Sequence, residues 1–327
     1  MSLRAGDWVE VRSAEEIQAT LDDRGELDAL PFMPEMLQYC GRRFRVFKAA
    51  HKTCDTIKTY HGRSMTDAVH LEGLRCDGGA HGGCQAGCLL FWKAAWLRPA
   101  TAAASNGHPR SAPVSPTGPA GCDREALARA TRAPAGDDGE ERYRCQATEL
   151  LRATAPLRWW DPRQYARDLL SGNVRLRDFL RYVPLAMFNA LMRRHWRLRP
   201  YPNVRGLARD KTPKEVLDLQ PGELVQVRSK AEIMPTLDGD RKNRGLAFDV
   251  EMLPFCGRTF RVLRRVERIV DDRTGRMLRM RSACLILDDV TCSGCFSTNR
   301  LFCPRNIYPY WHEIWLRRAT QGAESAR

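Results

Sequence analysis

Twelve cysteines and seven histidines are the residues of this sequence best suited to chemistry. A thiolate can bind a soft metal ion or attack an electrophile, and an imidazole can share the first task or activate the second. Three cysteine positions come in matched pairs: Cys40 with Cys256, Cys76 with Cys292, and Cys84 with Cys303. Further donors stand around each set, namely Cys54, His70, His81 and Cys88 in the first half and Cys284 and Cys295 in the second. Three shared thiols plus a variable fourth ligand suit tetrahedral zinc, which accepts Cys and His interchangeably and needs no fixed spacing between distant ligands. One zinc site per half is the leading expectation, with zinc as a structural clasp. Of the paired spacings typical of zinc ribbons, only Cys292-x-x-Cys295 is present, and the first half lacks its counterpart.

Other chemistries fit the same residues. Cys40, Cys76, Cys84 and Cys88 could hold an iron–sulfur cluster, which also takes four thiolates, although histidines among the donors and the spacings favour zinc. Alternatively the first half is a thiol or metal enzyme: His70, His81 and Cys88 occur only there, and His81 or His70 would activate Cys84 or Cys88. The plainer reading makes Cys40 and Cys256, beside Gly41 and Gly257, small buried hydrophobes. The loop Asp77–Cys88 is so rich in glycine that it would be mobile unless something tied its thiols down.

The elements that must position these residues follow from a duplication. GDWVEVRSAEEIQATLD from Gly6 recurs as GELVQVRSKAEIMPTLD from Gly222, and LPFMPEMLQYCGRRFRV recurs as LAFDVEMLPFCGRTFRV, both at an offset of 216. The second copy is three residues longer before WKAAWLR matches WHEIWLR. Each copy opens on an alternating strand, Trp8–Val11 or Leu224–Val227, then a Ser-x-x-Glu capping box, Ser13/Glu16 or Ser229/Glu232, with Ile17 and Leu21 one helical turn apart. Arg43–Phe47 and Thr259–Leu263 alternate again, and Asp272-Arg273-Thr274-Gly275 predicts a hairpin between Arg261–Asp271 and Arg276–Leu287. Trp92, Trp96, Trp311 and Trp315 read as core anchors. The expected fold is mainly β with α, two homologous SH3-like small-barrel lobes. They would span residues 1–100 and 218–327, joined by a flexible Ala/Ser/Gly/Pro linker over 101–140 and a helical segment over 141–217. That segment predicts helices over Tyr143–Ala153, Pro162–Leu170 and Arg175–Arg197, with Pro184 kinking or breaking the last.

Basic residues exceed acidic ones by 53 to 39, which permits an acidic ligand, nucleic acid or an anionic membrane as partner. Arg42, Arg43, Arg45, Arg258, Arg261, Arg264 and Arg265 alternate with core positions, which makes a solvated face as readily as a phosphate track, so nucleic acid is not favoured. The segment 175–199 could lie against a membrane surface, but packing between the lobes is favoured for it. No apolar run is long enough to span a bilayer and the start MSLRAGDWVEV lacks the core of a secretory signal, which predicts a cytoplasmic protein with reduced thiols. Dinucleotide, phosphate-loop, nucleophile-elbow and His-Glu-x-x-His motifs are all missing, which removes the common nucleotide-binding and hydrolase classes.

HLEGLRCDG from His70 and AHGGCQAGCLLFWK from Ala80 resemble a bacterial Cys-rich tandem-repeat family associated with polysaccharide or specialised-metabolite biosynthesis neighbourhoods. Lys52–Thr56, Tyr143–Leu150, Trp159–Tyr165 and Tyr310–Leu316 share the likeness, which covers nearly all but the linker. It implies a place in such a pathway and no particular activity. It adds Cys54 and Cys145 to the ligand candidates, Cys145 letting the helical segment close a site on the first copy, and leaves Cys122 incidental. The expected role is a zinc-binding accessory or adaptor protein that holds a protein partner of the pathway.

Overall fold

The structure, a computed structural model, describes residues 3–101, 124–134, 139–195 and 201–319. It is a mixed α and β chain whose antiparallel sheets include a half-barrel. Strand β1 (Trp8–Val11) follows its sequence pattern, with Val9 and Val11 fully buried and Trp8 and Glu10 turned outward. The capping box forms: Glu16 N donates to Ser13 Oγ and Ser13 N to the Glu16 carboxylate, opening helix α1 (Ala14–Gln18). The helix ends before Leu21, because the Thr20 hydroxyl donates to Ile17 O and accepts from Trp96 Nε1. A 3₁₀ turn (Pro34–Tyr39) leads to β2 (Arg43–Ala49), β3 (Ala68–Arg75), β4 (Leu89–Lys93) and β5 (Leu97–Pro99). Gly41 has φ +73°, a left-handed conformation that lets its N–H reach Val11 O as the turn enters β2. The sheet order is β4-β3-β2-β1-β5, and every pairing is antiparallel. Over it lies a core in which Phe32 meets Trp92 and Trp96 edge-on at 6.3 and 5.2 Å.

The predicted linker is partly structured. Helix α2 (Arg124–Ala130) sits inside it, anchored by Leu127, its one large apolar residue to reach the core of the first repeat. Thr131 Oγ1 adds a hydrogen bond to Ala80 O. The flexible part expected over residues 102–123, and Cys122 with it, lies outside the described residues. Tyr143–Ala153 begins at the end of a two-residue strand and continues as turns rather than a helix. Tertiary contacts override its helical spacing: Gln146 caps the edge of β4 with paired bonds to Phe91 N and O, while Arg144 and Arg152 grip buried Glu26. Helix α3 (Pro162–Leu170) starts where Asp161 accepts from Arg163 N and Pro162 takes the first position. Helix α4 (Leu176–His195) runs through Pro184 without a break. Pro184 lies on an exposed face, where the carbonyl it leaves unpaired can be solvated. Asp168 of α3 is fully buried and ties the helix to the first repeat through Lys52 Nζ at 2.5 Å, with His51 Nε2 3.2 Å away.

The second repeat copies the first. β6 (Leu224–Val227), α5 (Lys230–Ile233), a 3₁₀ turn (Val250–Phe255), β7 (Thr259–Val270), β8 (Met277–Leu287), β9 (Trp311–His312) and β10 (Leu316–Arg318) appear in the same sequence. The sheet order, β9-β8-β7-β6-β10, matches position for position. Phe248 meets Trp311 and Trp315 edge-on, and Trp315 Nε1 donates to Thr236 Oγ1 as Trp96 does to Thr20. One difference matters for function. β7 and β8 have 12 and 11 residues against 7 and 8 in β2 and β3. The longer hairpin, turning at Asp271–Arg276 as its sequence predicts, reaches across to the first repeat.

Candidate metal centre

The glycine-rich loop after β3 is tightly folded. Cys76 N donates to Cys88 O and closes it, while His81 N and Gly83 N both turn back to Gly78 O. Gly78 has φ +76°, and a Cβ there would lie 1.9 Å from Cys84 O, so the fold of this loop requires glycine. The closure brings the Cys76 thiol 3.4 Å from His81 Nε2, both side chains being largely or fully buried.

Glu35, from the 3₁₀ turn, completes the group. Its carboxylate oxygen, Cys76 Sγ and a His81 ring nitrogen all lie within 4.8 Å of one another. Neither Glu35 oxygen has a hydrogen-bond partner of good geometry among the described residues, and neither does His81 Nδ1. Burial raises the Glu35 carboxyl above its ordinary range. Burial also pushes His81 down to about 4, keeping the imidazole neutral, and lifts the Cys76 thiol with help from the Glu35 charge. A neutral imidazole, a buried carboxylate and a thiol are the donors that a borderline-soft divalent ion takes, and such an ion would draw the proton from the thiol. The Cys76–His81 separation already matches the roughly 3.5 Å edge of a tetrahedron with zinc-length bonds. This buried Glu/Cys/His group could hold a metal ion.

A cavity of about 30 Å³ adjoins the group, lined by Cys76, His81, Cys84, Cys88 and Cys145 from the first repeat and its following segment. Val270, Asp272 and Arg305 of the second repeat close it. Burial pushes Cys88 up to about 11 and raises Cys145 further. Cys84 Sγ accepts from Val270 N at 3.3 Å, so this thiol also serves the junction between the repeats.

The other sequence candidates fall elsewhere. Cys40 and Cys256 end their 3₁₀ turns half buried against the two cores, each pushed up to about 11 by burial, and neither joins the Glu35 group. Cys284 packs with Val266 and Ile286. Cys292 and Cys295 line a groove of about 510 Å³ beside Glu251. Glu251 is the counterpart of Glu35, but Ser293 Oγ and Phe296 N each donate to it at 2.8 Å. Cys303 meets Cys54 of the first repeat, and Cys54 is lowered to about 6 by the Cys303 hydrogen bond and the charges of Arg305 and Arg300. Among the described residues, no set in the second repeat reaches the ligand spacing of the first. His70 is buried on β3, its Nδ1 2.9 Å from Leu90 O and its ring 4.4 Å from Phe91, apart from the Glu35 group. The eleven described cysteines are all free thiols.

Sequence reasoning passed over Glu35. The available signal was an acid repeated at offset 216 inside apolar text, Pro-Glu-Met-Leu and Val-Glu-Met-Leu, where burial without a partner is costly. No protein-family model, curated protein or solved structure matches this chain.

Proposed function

We propose that the protein is a zinc-binding accessory or adaptor protein of a bacterial biosynthetic pathway, working in the cytoplasm, with zinc clasping the first repeat. Glu35, Cys76 and His81 would supply three ligands and Cys88 or Cys145 the fourth. The observation that carries this reading is the buried Glu35–Cys76–His81 group, whose carboxylate has no hydrogen bond of good geometry among the described residues. The small cavity favours a clasp, since it holds a water molecule or an ion and no larger substrate. A strand order of last-first-second-third-fourth, with a 3₁₀ turn between the final two strands, supports reading each repeat as an SH3-like barrel. Arg43 and Arg98 are paired with Glu10, Arg265 with Glu313 and Arg317 with Glu232, which weakens the case for a nucleic-acid track.

A second reading has one observation behind it. Three protein ligands beside a cavity leave a coordination position open, as catalytic zinc requires, so a metal-dependent enzyme remains the competing class. Elemental analysis of protein purified anaerobically without added metal tests the proposal. About one zinc per chain is expected, lost in Cys76→Ser and His81→Ala. Iron with sulfide would replace zinc by a redox cluster, and no metal at all would sink the clasp. A cobalt-substituted protein then separates the two classes: a visible spectrum unmoved by added thiocyanate means a closed clasp, and a shifted one means an open site.

A further inference from the structure

Helices α3 and α4 enclose a groove of about 910 Å³ lined almost wholly by apolar side chains, among them Trp159, Tyr165, Phe179 and Leu301. Its rim remains exposed: Trp160, Met187, Phe188 and Leu191 are 46–61% accessible. Along α4 the exposed residues Arg177, Leu180, Pro184, Met187, Leu191 and Arg194 recur every three or four positions. One helix face is therefore apolar in the middle and cationic at both ends.

The segment that carries this face is strongly basic. Seven arginines between Arg158 and Arg194 are exposed. The same stretch holds three acids: Asp161 caps α3, Asp168 is buried on Lys52, and Asp178 lies 3.7 Å from Arg177 Nε. Arg158 also sits 5.6 Å over the Trp160 ring, joining a cation to an aromatic of the kind that favours a membrane–water boundary. A second copy of the chain is a poor occupant, since a self-complementary contact would set arginines against arginines with no free acids between them.

We propose that the α3–α4 face docks on an anionic lipid bilayer, with α4 in the plane of the interface, arginines at the headgroups and acyl chain ends in the groove. No described helix is long and apolar enough to cross a membrane, so this contact lies on the surface of the bilayer. The inference is independent of the metal centre.

Sedimentation of the full chain with vesicles tests it, using phosphatidylcholine alone and phosphatidylcholine mixed with phosphatidylglycerol. Retention on the anionic vesicles should be roughly tenfold or more above that on neutral ones and should fall with added salt. Phe188→Glu with Leu191→Glu should lower it by about tenfold or more while circular dichroism and metal content stay unchanged. If that variant misfolds, Arg177→Glu with Arg181→Glu, both exposed positions, should remove the preference for anionic lipid. The proposal fails if the wild type ignores anionic vesicles, or if folded variants bind as well as it does. It also fails if the wild type is a dimer that the Phe188 variant dissociates, which would give the face to a second copy.

Discussion

Glu35 shows most sharply what a buried side chain can demand. A carboxylate taken out of water with only weak contacts from the Cys76 thiol and its own backbone is costly, and a divalent cation shared with Cys76 and His81 would offset that cost. Glu35→Gln should therefore keep the volume and weaken zinc binding by about tenfold or more, read by competition with a chromophoric chelator. His70 makes a separate prediction about acid. Its ordinary value is 6.5, and burial, assisted by the charges of Arg305, Lys48 and Arg75, lowers it to about 3 in the folded chain. The unfolded chain thus takes a proton near 6.5 that the folded chain refuses until about 3, so stability is complete above 6.5 and is lost as pH falls through that window. Urea midpoints should drop between about pH 7.5 and about pH 5, and His70→Gln should reduce the drop, leaving the share of His81 and His312.

At the scale of elements, each repeat is built around one Trp–Thr hydrogen bond, Trp96 to Thr20 and Trp315 to Thr236, at 3.1 and 3.0 Å. The indoles are fully buried and edge-on to Phe32 and Phe248, so burial and ring geometry act together. Trp315→Ala should cost about 3–5 kcal/mol, read as the unfolding of the second repeat, whose core cluster is separate from that of the first. Ser229→Ala removes only a cap and should cost about 1 kcal/mol. These elements were legible in the sequence because their signals are local or duplicated: strand alternation, Ser-x-x-Glu boxes, and tryptophans repeated between copies. Tyr143–Ala153 has helical spacing and yet forms no helix for a complementary reason. Its side chains answer to Phe91 and Glu26, far away in the chain, rather than to its own spacing.

In the whole molecule, the long β7–β8 hairpin joins the repeats. Gln85 of the first repeat accepts from Glu267 N and Arg268 N, and Tyr143 N donates to Gly275 O at the turn. Arg305 is buried at the centre of this junction, donating to Cys54 O and Thr56 Oγ1 and lying 3.6 Å from Asp272. Arg305→Met should cost about 1–3 kcal/mol, because it takes the buried donor away from Cys54 O and Thr56 Oγ1. The expected readout is faster hydrogen exchange at 52–56 and 268–272, with the sheet cores still protected. The metal cavity is closed by the same residues, so chelation should speed exchange at 268–272 in the wild type as well.

Two repeats with their strands, caps and aromatic anchors, and a wealth of thiols, were determined by the sequence itself, since periodicity and duplication survive without three-dimensional context. Which thiols meet was decided only in the folded molecule. Cys76 and His81 are joined by a loop whose shape depends on glycine, Glu35 arrives from a distant turn, and Cys54 finds Cys303 in the other repeat. Ligands carried on separate loops have no required spacing along the chain, so their convergence is set by how the repeats pack. The contrast between the two acids has the same origin: Glu35 and Glu251 are equivalent in sequence, and only the loop folded over each one gives Glu251 two good donors and leaves Glu35 facing a thiol and an imidazole.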